Sequence, residues 1–211
     1  IASCTTGDFY DGTWHHMVAV RDTVADTTRI YIDGSSRDSD TDSTTATLEN
    51  SLSLFVLDRD GVNNGDEFAG NLDELKVYRL ALTANQVLQD MNRGSQNILG
   101  ALSDNSNYEK NAANQEYCVP GDSTSCAAPV GEWKLDEKTG TTANDTSGNA
   151  NTGTITAGTG GYQSGKVGAA YNFDNADTVI NAGSGTTLDN LPSAGITLEA
   201  WVYPKSAGEN S

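Results

Sequence analysis

The sequence predicts an all-β protein built from antiparallel strands, and three observations carry that expectation. Thr, Ser, Asn and Asp dominate the polar residues, with 22 Gly and only 4 Pro among 211 positions. That mix suits strands joined by many turns, because Thr and aromatic side chains fit a pleated surface while Gly, Asn and Asp fit turns. Short stretches alternate apolar and polar residues with the period of two that a half-buried strand requires. No apolar run approaches the roughly 20 residues needed to cross a bilayer.

The strands can be taken in order. WHHMVAVR (14–21) sets Met17 and Ala19 on one face and Val18 and Val20 on the other. DTVADTT is turn material, and RIYIDG (29–34) puts Ile30 and Ile32 together before an Asp-Gly pair, a strong hairpin signal. SLSLFVL (51–57) is mostly apolar and reads as a strand buried on both faces. GNLDELKVYRLAL (70–82) turns Leu75 and Val77 inward and Glu74, Lys76 and Tyr78 outward. One short helix follows: Thr83 and Gln86 have capping-box spacing, Val87, Leu88 and Met91 make an apolar stripe, and Gly94 can end it.

Residues 96–128 differ in kind, with few β-branched residues and many Asn, Ser and Ala, and read as a linker. Within it, Cys118 and Cys126 bracket CVPGDSTSC, a tight loop with Pro, Gly and Asp placed for a turn. A disulfide there would contribute roughly 2–3 kcal/mol and would point to an oxidising compartment outside the cytosol, two free thiols being the alternative. Cys4 has no evident mate.

From residue 129 strands return. EWKLDE pairs Trp133 with Leu135, and KVGAAYNFD (166–174) sets Tyr171 and Phe173 against Ala170 and Asn172. TVINAG follows an Asp-rich turn. ITLEAWVYP (196–204) puts Ile196, Leu198, Ala200 and Val202 on one face and Glu199, Trp201 and Tyr203 on the other. The segments 1–95 and 129–211 are not copies of each other, so the chain is not a simple tandem repeat. A formal charge of −17 argues against nucleic acid as a partner, whose phosphates it would repel, and gives either a solvated acidic coat or a surface that recruits cations.

These motifs resemble a known family. DGTWHHMVAVRD, RIYIDG and FAGNLDELKVYRLALTANQV are similar to the C-terminal half of a LamG-like jelly-roll domain of the laminin G and concanavalin A-like lectin superfamily. GEWKLDEKTGTTANDTSGNANTG, GKVGAAYNFDNADTVINAG and ITLEAWVYP are similar to its N-terminal half. The resemblance implies an antiparallel jelly-roll sandwich present as two half-domains, 1–95 and 129–211, with the closing half first. The order fits a window on a tandem array, a circular permutant, or two halves that pair with each other. The absence of an initiating Met, the unmatched Cys4 and the end at Ser211 favour the window. An isolated half would leave strand edges unpaired, so the chain is expected to be marginally stable or to be held by pairing of its halves.

The resemblance also implies a non-catalytic extracellular or cell-surface module that binds carbohydrate or another surface or matrix ligand, beside adjacent LamG-like domains. A structural spacer in an adhesin is the alternative, and an accessory domain of a secreted polysaccharide-degrading enzyme a more remote one. Catalysis would need two converging carboxylates. The adjacent pairs Asp73–Glu74 and Asp136–Glu137 lie on strand-like stretches, where neighbours diverge. His15 and His16 diverge likewise, and the resemblance makes Trp-His-His a structural signature with Trp14 in the core. Calcium fits better, because NDTSGN (144–149) offers Asp145, Asn149 and free carbonyls. Domains of this kind hold calcium where that loop meets the strand carrying Asp73, although Asp145 and Asn149 could equally close turns on their own backbone. Asp174 and Asp177 form a second, weaker set. Tyr78, Trp201 and Tyr203 are the outward aromatics on which a sugar could stack.

Overall fold

Alternation along the sequence becomes two stacked sheets. A computed structural model describes residues 9, 11–44, 54–56, 68–92, 128–156, 159–174, 178–189, 191 and 195–205. The strands are β1 (His15–Asp22), β2 (Thr27–Ile32), β3 (Ser35–Thr41), β4 (Phe55–Val56), β5 (Ala69–Tyr78) and β6 (Gly131–Trp133). Then come β7 (Thr142–Ala143), β8 (Gly153–Thr156), β9 (Gly161–Ser164), β10 (Ala169–Asp174), β11 (Val179–Asn181) and β12 (Ile196–Pro204). Helix α1 (Ala84–Met91) follows β5, and a single turn, α2 (Thr186–Asp189), precedes β12.

The larger sheet runs β3-β2-β1-β12-β5-β10-β9, with β6 also paired to β5, and the smaller runs β4-β11-β8-β7. All described pairings are antiparallel. The segments on either side of 96–128 interleave in both sheets. Strand β12 inserts between β1 and β5, β10 pairs with β5, and β11 pairs with β4. Each half thus covers strand edges that the other would leave open, which removes the template for association at those edges.

Local chemistry explains the elements. Asp33 (φ 50) and Gly34 (φ 72) both adopt the left-handed conformation that a two-residue hairpin between β2 and β3 requires. Thr83 and Gln86 close the expected capping box on α1. The helix buries Val87 and Asp90, whereas Leu88 of the expected stripe is 39% exposed. EWKLDE is a strand only as far as Trp133, so Asp136–Glu137 lie in the loop beyond β6. Of SLSLFVL, the described residues show strand at 55–56.

The core between the sheets gathers Leu72, Leu75, Val77, Trp133, Leu135, Tyr171, Phe173, Ile180, Ala200 and Val202. Trp133 is fully buried and donates from Nε1 to the Asn151 carbonyl at 2.9 Å, which satisfies its polar atom inside an apolar setting. Trp14 is not in this core. It lies at the start of β1, partly exposed, with its ring 5.7 Å from that of Tyr203.

Strand β5 is irregular at one point, and that point positions the site. Its pairing with β12 slips between Glu199 and Trp201, where Glu74 takes a positive φ of 52. At the same place its other neighbour changes from β10, facing residues 69–72, to β6, facing 75–77. A bulge of this kind re-aims side chains and opens a notch in the sheet.

Candidate ligand-binding face

The outer face of the large sheet follows from the registers. Trp201 sits opposite His16 on one side and Asp73 on the other, Glu199 opposite Val18 and Lys76, and Tyr203 opposite Asn71. Asn71 is in turn opposite Asn172, and Ala170 opposite Gln163. Residues opposite each other in a ladder share a face. His16, Val18, Asn71, Asp73, Lys76, Asn172, Glu199, Trp201 and Tyr203 therefore line one surface.

Helix α1 covers one half of that surface. Val87 packs with Val18, Val20, Tyr31, Tyr78 and Leu82 in a second apolar cluster. Beside it lies a buried ionic network. Lys76 Nζ donates to Asp90 Oδ2 at 2.9 Å and to Glu199 Oε1 at 3.4 Å, and the Tyr78 hydroxyl donates to Asp90 Oδ2 at 3.0 Å. His16 Nε2 lies 3.3 Å from Glu199 Oε1. Burial pushes the Glu199 carboxyl above its ordinary value, even though the Lys76 charge pulls the other way. Asp90 and Glu199 come from either side of 96–128, so this network also ties the two segments together.

The other half is open. Trp14, Trp201 and Tyr203 are partly exposed there, with Asn71, Gln163 and Asn172 beside them. The Trp201 ring lies 5.0 Å from His16. Gln163 Nε2 donates to Asn71 Oδ1 at 3.1 Å, and Lys205 Nζ donates to Asn172 Oδ1. Aromatic rings beside amides are what sugar recognition needs, C–H faces stacking on the rings while the amides bond hydroxyls.

The turn between β9 and β10 borders this half and is fixed by two carboxylates. The Val167 amide donates to Asp73 Oδ2 at 2.8 Å, and the Ala169 amide to Asp136 Oδ1 at 2.6 Å. Gly165 and Gly168 allow the approach: a Cβ on Gly165 would stand 2.6 Å from Asp73 Oδ2, and one on Gly168 2.3 Å from Asp136 Oδ1. The turn holds Lys166 with its ammonium 4.5 Å from the centre of the Trp201 ring, a cation–π contact. Asp73 is fully buried and its Oδ1 has no hydrogen-bond partner. Burial, opposed by the Val167 amide and aided by Glu74, pushes its pKa up to about 7.

The residues singled out by sequence fall in different places. Trp201 and Tyr203 lie on the open half, but Tyr78 does not. It faces outward from the sheet as expected, yet α1 buries it to 2% exposure and its hydroxyl serves Asp90. Asp145 is committed to backbone: Oδ1 accepts from Glu132 and Ser147 amides at 3.0 and 2.9 Å, and Oδ2 from the Asn151 amide at 2.8 Å. Asn149 donates to the Val130 carbonyl at 3.1 Å. Asp73, on β5, bonds the β9–β10 turn and shares none of these partners, and no group of three or more His, Cys, Asp or Glu among the described residues is placed to hold a metal ion. The loop around Asp145 is thus built as a turn, and Asp145 and Asp73 hold different stretches of backbone. Asp174 accepts from Thr159 and Thr178, while Asp177 lies outside the described residues, as do Cys4, Cys118 and Cys126. His15 bonds Asp33 Oδ2 at 2.8 Å, and its Nε2 lies 3.2 Å from Asp11 Oδ1. Although burial lowers its pKa, these carboxylates bring a net rise.

Sequence reasoning did not find Asn71, Gln163, Asn172 or Lys166. Alternation could have placed the two asparagines beside Tyr203, but only the turn geometry brings Lys166 onto Trp201. Residues 2–88 match the family model of the concanavalin A-like lectin/glucanases superfamily, laminin G type. This match and the sheet-rich fold support a LamG-like jelly-roll domain that includes residues 2–88. Comparisons with curated proteins and with solved structures found no match. LamG-like domains of this family are typically non-catalytic, and the superfamily supports a carbohydrate- or ligand-binding module in general.

Proposed function

We propose that this LamG-like chain is a non-catalytic recognition module that works outside the cell and binds carbohydrate on the open half of its outer sheet face. One observation carries the reading: Trp14, Trp201 and Tyr203 remain partly exposed on a face whose other half is sealed by α1. Exposed aromatic surface beside amide groups costs solubility unless it is used, and an aromatic–amide surface suits a polyhydroxylated ring better than an apolar partner. The carboxylates nearest this face do structural work, Asp73 and Asp136 holding a turn and Glu199 bonding Lys76, which agrees with binding rather than hydrolysis. An extracellular setting agrees with the common location of LamG-like domains.

The test is a glycan array probed with the full chain and with Trp201→Ala. The expected result is a restricted set of bound glycans that the variant loses. Silence of the wild-type chain across the array would leave the aromatic face without a sugar and favour a structural spacer.

A further inference from the structure

We infer that the ligand of the open face is an extended, carboxylated polysaccharide, a polyuronate, and that Lys166 selects it; this rests on the carbohydrate reading above. The chain carries a net charge of −17, yet two exposed ammonium groups flank the aromatic row. Lys166 stands over the Trp201 ring, and Lys205 reaches Asn172. Neither forms an ion pair with a carboxylate among the described residues, whereas Arg21 is paired with Asp42, and Lys76 with Asp90 and Glu199. The acids that hold the Lys166 turn, Asp73 and Asp136, are both engaged with backbone amides of that turn. Asp174, at the end of β10, is engaged by Thr159 and Thr178. The two lysines are thus cations left uncompensated in an acidic protein, which marks the face for a negative partner.

Three further features set the chemistry. Trp201 and Tyr203 are two residues apart on one strand, about 6.8 Å, which suits successive rings of an extended chain better than one isolated sugar. The amides of Gln163, exposed, and Asn172, partly exposed, can bond hydroxyls along the same line, with Asn71 buried behind Gln163. The overall negative field repels a densely sulfated polymer more strongly than one with a single carboxylate per residue, so charge density favours the uronate. In the free protein Lys166 covers the indole. A uronate carboxylate would accept from that ammonium and let the C–H face of the sugar take its place on Trp201.

The proposal is tested by isothermal titration of the full chain with polygalacturonate oligomers, with their neutral methyl esters and with heparin oligomers, alongside Lys166→Gln. Lys166 is exposed, so the variant is expected to melt with the wild type. The expected result is affinity for polygalacturonate roughly tenfold or more above the methyl ester, a difference that Lys166→Gln abolishes and added salt reduces. Heparin is expected to bind more weakly. Equal binding of acid and ester by the wild type would overturn the role of Lys166 while leaving the carbohydrate reading standing. Tighter binding of heparin would overturn the carboxylate assignment. Binding of none of the three would overturn the proposal, and silence on the glycan array as well would remove the reading beneath it.

Discussion

Two halves of one sheet face meet different fates in this protein. Under α1, Lys76, Tyr78 and Glu199 are buried in ion pairs and hydrogen bonds against Val18, Val20 and Val87. Along the same strands, a few residues further on, Trp201 and Tyr203 are partly exposed beside Gln163, which is exposed. The boundary is the bulge at Glu74, where β5 changes partner from β6 to β10. The difference teaches that outward alternation does not by itself mean exposure. Whatever packs on the face decides which outward residues hold the fold and which are free to bind.

The largest expected effect lies on the covered half. Lys76→Ala leaves Asp90 and Glu199 buried without their shared cation and is expected to cost about 3–5 kcal/mol in chemical denaturation. A cost near zero would place that network on the solvent side and erase the contrast between the halves.

Next comes pH. Asp73 and Glu199 both hold pKa values raised above those of the unfolded chain, from 3.8 to about 7 for Asp73. Between those values the unfolded chain gives up protons that the folded one keeps, so stability falls as pH rises from about 4 to about 7. His15, whose folded pKa is also raised, contributes stability that is full below 6.5 and is lost as pH rises through its folded value. Asp42, held at about 2 by Arg21 and Thr44, acts in the opposite sense and weakens the fold only in stronger acid. The Asp73 shift corresponds to at most about 4 kcal/mol. Thermal melts across this range should show highest stability near the acidic end, and Asp73→Asn should flatten the slope. A profile rising towards pH 8 would contradict this.

A smaller effect belongs to the turn that borders the open half. Gly168→Ala combines a positive φ of 65 with a Cβ 2.3 Å from Asp136 Oδ1 and is expected to cost about 1–3 kcal/mol. By displacing Lys166 it should also alter binding more than its stability cost explains, as paired denaturation and titration would show. The smallest effect is expected from calcium. With Asp145 committed to three amides, neither calcium nor chelator should move the melting point, and a calcium-dependent rise would return Asp145 and Asp73 to a metal site.

The fold was largely legible in the sequence because it is written in short-range signals. Strict alternation set Trp201 and Tyr203 opposite Ala200 and Val202, and Asp33-Gly34 marked its hairpin. The helix was legible from Thr83 and Gln86, but the side it buries was not. Asp90 is polar, and only the tertiary partner Lys76 makes its burial favourable. Trp14 and Trp133 show the same limit, because each begins or ends a strand and only the stacking of sheets decides which becomes core. The candidate site was half legible. Its aromatics follow from alternation, while its amides and Lys166 come from β5, β9, β10 and a turn brought together across the chain.

The claim that the open half is the recognition surface can be tested on its own indoles. Two of the three tryptophans, Trp14 and Trp201, lie there, and Trp133 is fully buried. Iodide quenching of tryptophan fluorescence, with and without a glycan selected from the array, separates the two environments. If the surface binds sugar, the glycan should protect the quenchable fraction in the wild type and lose most of that effect in Trp201→Ala. Unchanged quenching in the presence of a glycan that demonstrably binds would place the ligand elsewhere on the molecule and contradict the claim.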